Sequence, residues 1–372
     1  MKKRIAVIGL KGIPATGGAA TVGESLIDYL RDYFEFEVLS TASHAKDQTV
    51  KGISQIIFPA HKNPKINTLL YYLRCALFVL FKRKYDLVHL HHAESGFIMP
   101  LLRLRYKVVT TYHGMFLDDY SDPKFSKLTN RFFRFSQWIN VSLSNINISV
   151  SKIDTKKVNS KAGKELIRYI PNGIRIPKLN SPRESKGYVT FAANRIYHIK
   201  GLHTLIEAFR KSGIQKTLKV IGDLTQIPKY KTEIESISRG LNIEFIGKIY
   251  DKEILFDTIR DSDYFIFPSE KEAMPMMLLE VVALRIPVIA SDIPEVRAIF
   301  DEKELIFFQS QNPMDLANKL LLLENDADLG VTIAQNAYNK VVSEYRWEHI
   351  AAQYREIYSD LLKMPLSTPK NG

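Results

Sequence analysis

The chain has 372 residues, which at about 100–200 residues per domain predicts two domains, each able to bury a core. With 45% hydrophobic and 25% charged residues it excludes wholesale disorder, and its single cysteine, Cys75, excludes an internal disulfide framework or a cysteine-based zinc cluster and favours a reducing compartment. The net charge of +12 is unevenly placed: residues 1–180 carry 28 Lys and Arg against 13 Asp and Glu, whereas the remainder carries 24 against 27. A half so basic points to an anionic partner, either nucleic acid or a membrane surface.

The chain opens on Lys2-Lys3-Arg4 and an apolar run, Ile5 to Leu10. That run is too short for a signal-peptide core and reads as a first β-strand. A Gly-rich loop, Lys11 to Gly18, precedes a helical pattern with Val22, Leu26, Ile27 and Leu30 on one face. Strands are predicted at 37–40, 55–58, 87–90, 107–112 and 147–150, with helices over 66–83 and 124–143. No stretch of about 18 uncharged apolar residues exists, since Arg74 breaks Ile66–Phe81, so no spanning helix is expected. Residues 177–187 are rich in Pro, Ser and Gly, the composition of a linker. The alternation then restarts, with strands at 188–192, 217–221, 243–246, 264–267, 287–290 and 305–308 and a helix over 202–211. Helices over 313–325 and 346–363 close the chain. Such alternation means doubly wound parallel sheets, in which ligands bind at the carboxyl ends of strands. The expected fold class is α/β, two Rossmann-like domains facing across a cleft.

The Gly-rich turn after the first strand does not have dinucleotide spacing. Gly9-x-x-Gly12-x4-Gly17-Gly18 is not G-x-G-x-x-G, and Ser40 and Thr41 stand where an acidic residue would follow the second strand. Gly18-Ala19 also replaces the Lys-Ser/Thr of a P-loop. What remains is either a tight strand-to-helix turn or an anion-binding helix N-terminus. The second half carries two sharper features. Glu272 stands in a strand-to-helix loop with Glu280 eight positions on, a pair that can grip sugar and ribose hydroxyls or simply face solvent. Arg195 and Lys200 share the loop after the strand that opens this half, where they form either a diphosphate clamp or a solvated basic loop.

Taken in order, the motifs resemble a family 4 glycosyltransferase of the GT-B fold, the retaining, nucleotide-sugar-dependent class. They are Gly17-Gly18, Asp86-Leu-Val-His-Leu-His91, Thr111-Tyr-His-Gly114, Ile170-Pro-Asn-Gly173, Arg195-x4-Lys200-Gly, Val220-Ile-Gly222, Pro268-Ser269 with Glu272-x7-Glu280, and Trp347 opening a last helix. The likeness covers nearly the whole chain and leans towards bacterial polysaccharide-assembly members. The chain departs from the pattern at Arg285, where Gly is common, and at 300–305, where a Gly-rich segment is expected.

The resemblance implies an acceptor-side domain at 1–178, a linker at 179–187, a nucleotide-sugar domain at 188–345, and a helix at 346–363 that crosses back to the first domain. It implies Arg195 and Lys200 on the donor diphosphate, Glu272 on the sugar, Glu280 on the ribose, and His113 beside the reacting sugar. Gly17, Gly18, Gly222, Ala273, Met274, Met276 and Met277 would shape the donor site. His89, His91 and His92 look like a metal cluster, but no carboxylate pair accompanies them and the class needs no metal. The expectation is a cytoplasmic enzyme without metal or other cofactor, peripheral on the inner face of the membrane, acting on a saccharide or lipid-linked acceptor. Its partners would be the nucleotide-sugar donor and an anionic membrane surface. A nucleotide-sugar epimerase of the same fold and a silent sugar-nucleotide sensor stay open. Against a nucleic-acid partner, no helix-turn-helix, RNA-recognition or zinc-finger signature is present.

Overall fold

The computed structural model describes residues 2–15, 18–82, 84–115, 126–177 and 183–365. The chain divides into two compact units, Met1–Gly173 with Trp347–Gly372, and Ile174–Arg346. Part of the expected linker, 179–182, lies outside the described residues.

Unit 1 is built on eight strands: β1 (Lys3–Lys11), β2 (Phe34–Thr41), β3 (Thr49–Val50), β4 (Ile53–Phe58), β5 (Leu87–His91), β6 (Lys107–Tyr112), β7 (Ile146–Ser149) and β8 (Arg168–Tyr169). Their order is β3-β4-β2-β1-β5-β6-β7-β8, parallel except for β3 against β4. Five helices belong to this sheet: α1 (Gly18–Leu30), α2 (Pro64–Phe81), α3 (Met99–Arg103), α4 (Lys127–Leu143) and α5 (Lys152–Ala162). β1 shows the two-sided burial of a parallel strand. Ile5 and Val7 join the core beneath α1, while Ala6 and Ile8 join the core beneath α2 and α3. The helix Trp347–Leu362 completes the α1 side. Its Trp347, Ile350, Ala351, Tyr354 and Tyr358 recur at helical spacing and are buried, and Trp347 stacks on Tyr29 at 5.9 Å.

α2 starts where Asn63 accepts from the amides of Lys65 and Ile66, with Pro64 in its first turn. α4 is built the other way round from an ordinary surface helix. Its buried residues are Asn130, Ser136, Gln137 and Asn140, all polar. They hold the 3₁₀ turn Ala93–Ile98: Ser136 Oγ donates to Glu94 O at 2.9 Å and accepts from Phe97 N at 3.1 Å, and Asn140 Nδ2 donates to Ala93 O at 3.1 Å.

Unit 2 carries β9 (Tyr188–Arg195), β10 (Thr217–Asp223), β11 (Ile243–Gly247), β12 (Phe265–Phe267), β13 (Val288–Ser291) and β14 (Ile306–Phe308). All are parallel, in the order β11-β10-β9-β12-β13-β14. Its helices are α6 (Leu202–Ser212), α7 (Pro228–Ile237), α8 (Lys252–Arg260), α9 (Met276–Val282), α10 (Pro294–Arg297), α11 (Pro313–Asn325) and α12 (Ala327–Glu344). No hydrophobic periodicity in the sequence predicts α12. Its buried face is Gly330, Ile333, Ala334, Ala337 and Val341, mostly too small to give a hydrophobic signal. Each sheet reverses its winding once, at β1/β5 in unit 1 and at β9/β12 in unit 2, and those reversals open the crevices in which open α/β sheets bind ligands.

Candidate functional site

In unit 2 the predicted cations and carboxylates lie on the segments at and after the ends of β9 and β12, the strands of the reversal, and the structure brings Lys200 and Glu272 together. Arg195 ends β9, and a 3₁₀ turn, His198–Lys200, follows it. Gly201 then takes φ 69°, and a Cβ there would stand 2.0 Å from Pro268 O. Only glycine lets the loop after β9 lie this close to the loop after β12. Glu270 N donates to Ile199 O at 2.9 Å across the same seam. The approach sets Lys200 Nζ 2.6 Å from Glu272 Oε1, both largely buried. Arg195 is exposed and makes no ion pair with any described residue. Gly222 at the end of β10 has φ 143°, with a hypothetical Cβ 1.9 Å from Ala193 O, so it too sets a backbone approach.

Glu280 falls on the fifth residue of α9, just over one turn in, because the helix starts at Met276 with Pro275 as its cap. Its Oε1 accepts from Lys252 Nζ at 2.6 Å. Lys200–Glu272 and Lys252–Glu280 are therefore separate pairs. Met274 is buried, Met276 and Met277 are partly so, and Ala273 is exposed. Arg285, where glycine is common in the resembled family, takes φ 57°. That left-handed backbone accounts for the family's preference, and here the guanidinium lies over the Tyr338 ring at 4.0 Å.

At the β1/β5 reversal of unit 1, Gly18 opens α1 and is exposed; Gly17 lies outside the described residues. The Gly-rich loop is braced by residues the sequence reading did not single out. Gln55 Oε1 accepts from Ile13 N at 3.0 Å and Ser40 Oγ at 2.8 Å, its Nε2 donates to Ile13 O at 2.8 Å, and Glu24 Oε2 accepts from Ala15 N at 2.7 Å. Only the location of Gln55, in a strand adjoining the one after the loop, could have flagged it.

The histidines form one cluster. His91 Nδ1 and His113 Nε2 are 3.0 Å apart with nearly parallel rings, and the rings of His89 and His91 are 4.2 Å apart. Tyr358 OH bonds His89 Nδ1 at 2.6 Å and Thr111 Oγ1 bonds its Nε2 at 2.8 Å, so both ring nitrogens of His89 are occupied. Burial pushes the His89 pKa down to about 3. Burial, with the neighbouring histidines, holds His91 and His113 well below the ordinary value, and burial lowers His92. The cluster is neutral at pH 7: it can donate and accept hydrogen bonds but offers no cation.

The one group of three metal-capable side chains among the described residues is elsewhere, in unit 2: His198, His203 and Glu270, with ligand atoms within 4.8 Å of one another. Glu270 Oε1 lies 3.5 Å from His203 Nε2 and 3.6 Å from His198 Nδ1. The 67-residue gap between His203 and Glu270 hides this group from sequence spacing.

Two family models match the chain. That of Glycosyltransferase Family 4 matches residues 16–176, and that of Glycosyl transferases group 1 matches residues 177–340. An uncharacterized glycosyltransferase of Methanocaldococcus jannaschii is 25% identical over 354 residues, covering 94% of this chain and 96% of the relative. An N,N'-diacetylbacillosaminyl-diphospho-undecaprenol alpha-1,3-N-acetylgalactosaminyltransferase of Campylobacter jejuni is 25% identical over 181 residues, 48% of this chain and 46% of the relative. Among solved structures, Anabaena HepE in complex with UDP and glucose has a TM-score of 0.77 at 19% identity, the match covering 96% of this chain and 100% of that structure's chain.

Proposed function

Because the chain belongs to the glycosyltransferases that these two models describe, we propose that it is a retaining transferase. It would move a sugar from a nucleoside diphosphate to a hydroxyl of a saccharide or lipid-linked saccharide in cell-surface polysaccharide biosynthesis. The single observation that carries this reading is the Lys200–Glu272 pair at the strand reversal of unit 2, with Arg195, in no ion pair with a described residue, at the end of the strand that leads into it. A diphosphate entering there competes with Glu272 for the Lys200 ammonium and finds Arg195 uncommitted. Glu272, released, is free to accept from a sugar hydroxyl. Glu280, on the next helix, is assigned to the ribose.

Charge builds on the diphosphate as the glycosidic bond breaks, and the two cations oppose it where it develops. The acceptor attacks on the face that the leaving group departs from, and a diphosphate oxygen takes its proton. That route needs no enzyme nucleophile. His113 is assigned to a sugar hydroxyl, a role that suits a neutral imidazole. No step requires a metal. The UDP and glucose bound by the structural neighbour and the lipid-linked acceptor named for the Campylobacter relative are properties of those proteins, and both are compatible with this reading. Acceptor-dependent nucleotide release from a panel of sugar nucleotides tests it. Nucleotide sugar turned into an epimer, with no transfer, would favour the epimerase instead.

A further inference from the structure

Among the described residues, the outward aromatic face of α4 around Phe135 and Trp138 is left uncovered in its own unit. A surface helix normally buries its apolar stripe and shows water its polar one. α4 buries Asn130, Ser136, Gln137 and Asn140, and it exposes Leu128 by 79%, Phe135 by 57% and Trp138 by 64%. Phe135 and Trp138 stack on each other at 6.2 Å. α3 packs against both α2 and α4. Arg105 Nη1 donates to Leu80 O, and Tyr106 OH donates to Val79 O at 2.9 Å, tying the end of α3 to α2. Beyond these ties Phe81 and Leu104 are 76% and 79% exposed. Every large exposed hydrophobic residue among the described residues of unit 1 lies on α2, α3 or α4 or just past the end of α3; those of unit 2 are scattered over six segments.

The charge of this face is as one-sided as its hydrophobicity. α2, α3 and α4 contain no Asp or Glu. Lys127, Arg131 and Arg134, at i, i+4 and i+7 of α4, line a groove of about 690 Å³ with Phe135. A second copy of the chain would set cations against cations there, and a soluble acidic partner would leave the aromatic side chains unused. Cations interleaved with Trp, Phe and Leu are the chemistry of a bilayer interface, where rings enter the acyl boundary while basic groups meet lipid phosphates. No described helix is long and apolar enough to cross a membrane, so the chain would lie on the surface.

We propose that unit 1 docks on an anionic membrane through α2, the end of α3 and α4, with the Lys127–Arg131–Arg134 groove taking a lipid headgroup phosphate. This deepens the proposed function by naming the surface at which a lipid-linked acceptor would be met, and rests on that reading only for the acceptor.

The test is sedimentation of the full chain with vesicles of phosphatidylcholine alone or with about one-third phosphatidylglycerol. Binding is expected to be at least about tenfold tighter to the anionic vesicles and lost near 0.5 M salt. Trp138 emission should shift to the blue on binding; Trp347 is buried and should not respond. Changing Lys127, Arg131 and Arg134 together to Glu should abolish binding. Phe135→Ser with Trp138→Ser should weaken it about tenfold or more, by loss of the inserted rings. Circular dichroism and melting would establish that both variants fold, and a variant that melted early would be replaced by Leu128→Ser with Phe135→Ser. Equal failure on both vesicle types would overturn the proposal, as would unchanged binding by the aromatic variants or concentration-dependent dimerisation lost in those variants. Transfer to a soluble saccharide should be unchanged in all variants, so failure of the transferase reading and failure of the docking surface register separately.

Discussion

In unit 2 the turns and helices that follow the strands hold opposite charges in contact, Lys200 on Glu272 and Lys252 on Glu280. In unit 1 the strand ends hold histidines that burial keeps uncharged. The same winding of the sheet thus supports two kinds of chemistry. Paired ions can be exchanged for a charged ligand, most readily at Lys200, where a diphosphate replaces Glu272 in a pair already largely buried. Neutral rings cannot hold such a ligand, but they tolerate an uncharged hydroxyl. The difference teaches where each half is to be perturbed: unit 2 by removing charge, unit 1 by adding protons.

The largest expected effect is on the charged side. Lys200→Ala or Arg195→Ala should lower turnover about a hundredfold, near 3 kcal/mol of transition-state stabilisation. Steady-state nucleotide release checks it, and wild-type turnover in both variants would erase the distinction between the units.

Next comes acid, which should act on unit 1. A histidine buried neutral binds its proton in the unfolded chain near pH 6.5 but not in the fold, so the unfolded state binds more protons below that value. Stability is full above about pH 6.5 and is lost as pH falls through it. For His89, whose folded pKa is about 3, going from about pH 7 to about pH 5 should remove roughly 2 kcal/mol. Both tryptophans, Trp138 and Trp347, belong to unit 1, so urea unfolding followed by tryptophan fluorescence reads that unit. His89→Gln should flatten the pH dependence by that amount whatever it does to stability at pH 7.

A smaller effect separates the two carboxylates. Glu280→Gln should weaken nucleoside diphosphate binding about tenfold, whereas Glu272→Gln should chiefly slow turnover. Calorimetry against kinetics resolves the pair, and the reverse order would exchange their roles. The smallest effect is that of EDTA, expected to change turnover by less than about twofold, since no oxygen-rich site for a diphosphate-bound Mg²⁺ is called for. A loss restored by zinc and absent in His203→Ala would bring His198, His203 and Glu270 into use.

Much of this was legible in sequence where one signal sufficed. β6 and α11 have the predicted bounds, because a β-branched run ends at a turn in one and Asn312-Pro313 starts the other. The Lys200–Glu272 contact was not legible, since it depends on Gly201 bringing together loops 72 residues apart. The orientation of α4 was hidden for a different reason. Its cations at i, i+4 and i+7 are plain in the sequence, but periodicity alone would turn its aromatic side chains inward. The polar turn at Ala93–Ile98, which takes the helix's amide and hydroxyl groups, decides otherwise.

The return of the last helix to unit 1 has a consequence for how the chain is made. Trp347, Ile350, Tyr354 and Tyr358 fill a core whose other walls are β1, β2 and α1, and Tyr358 is the partner of His89. A ribosome delivers those side chains after all of Ile174–Arg346. Domains fold as units when their residues are out, so the half synthesised first is the half that closes last. Until residue 358 emerges it carries an open apolar face and a histidine lacking one bond. A premature stop just beyond Arg346 would therefore damage the part of the protein already made and spare the part made after it.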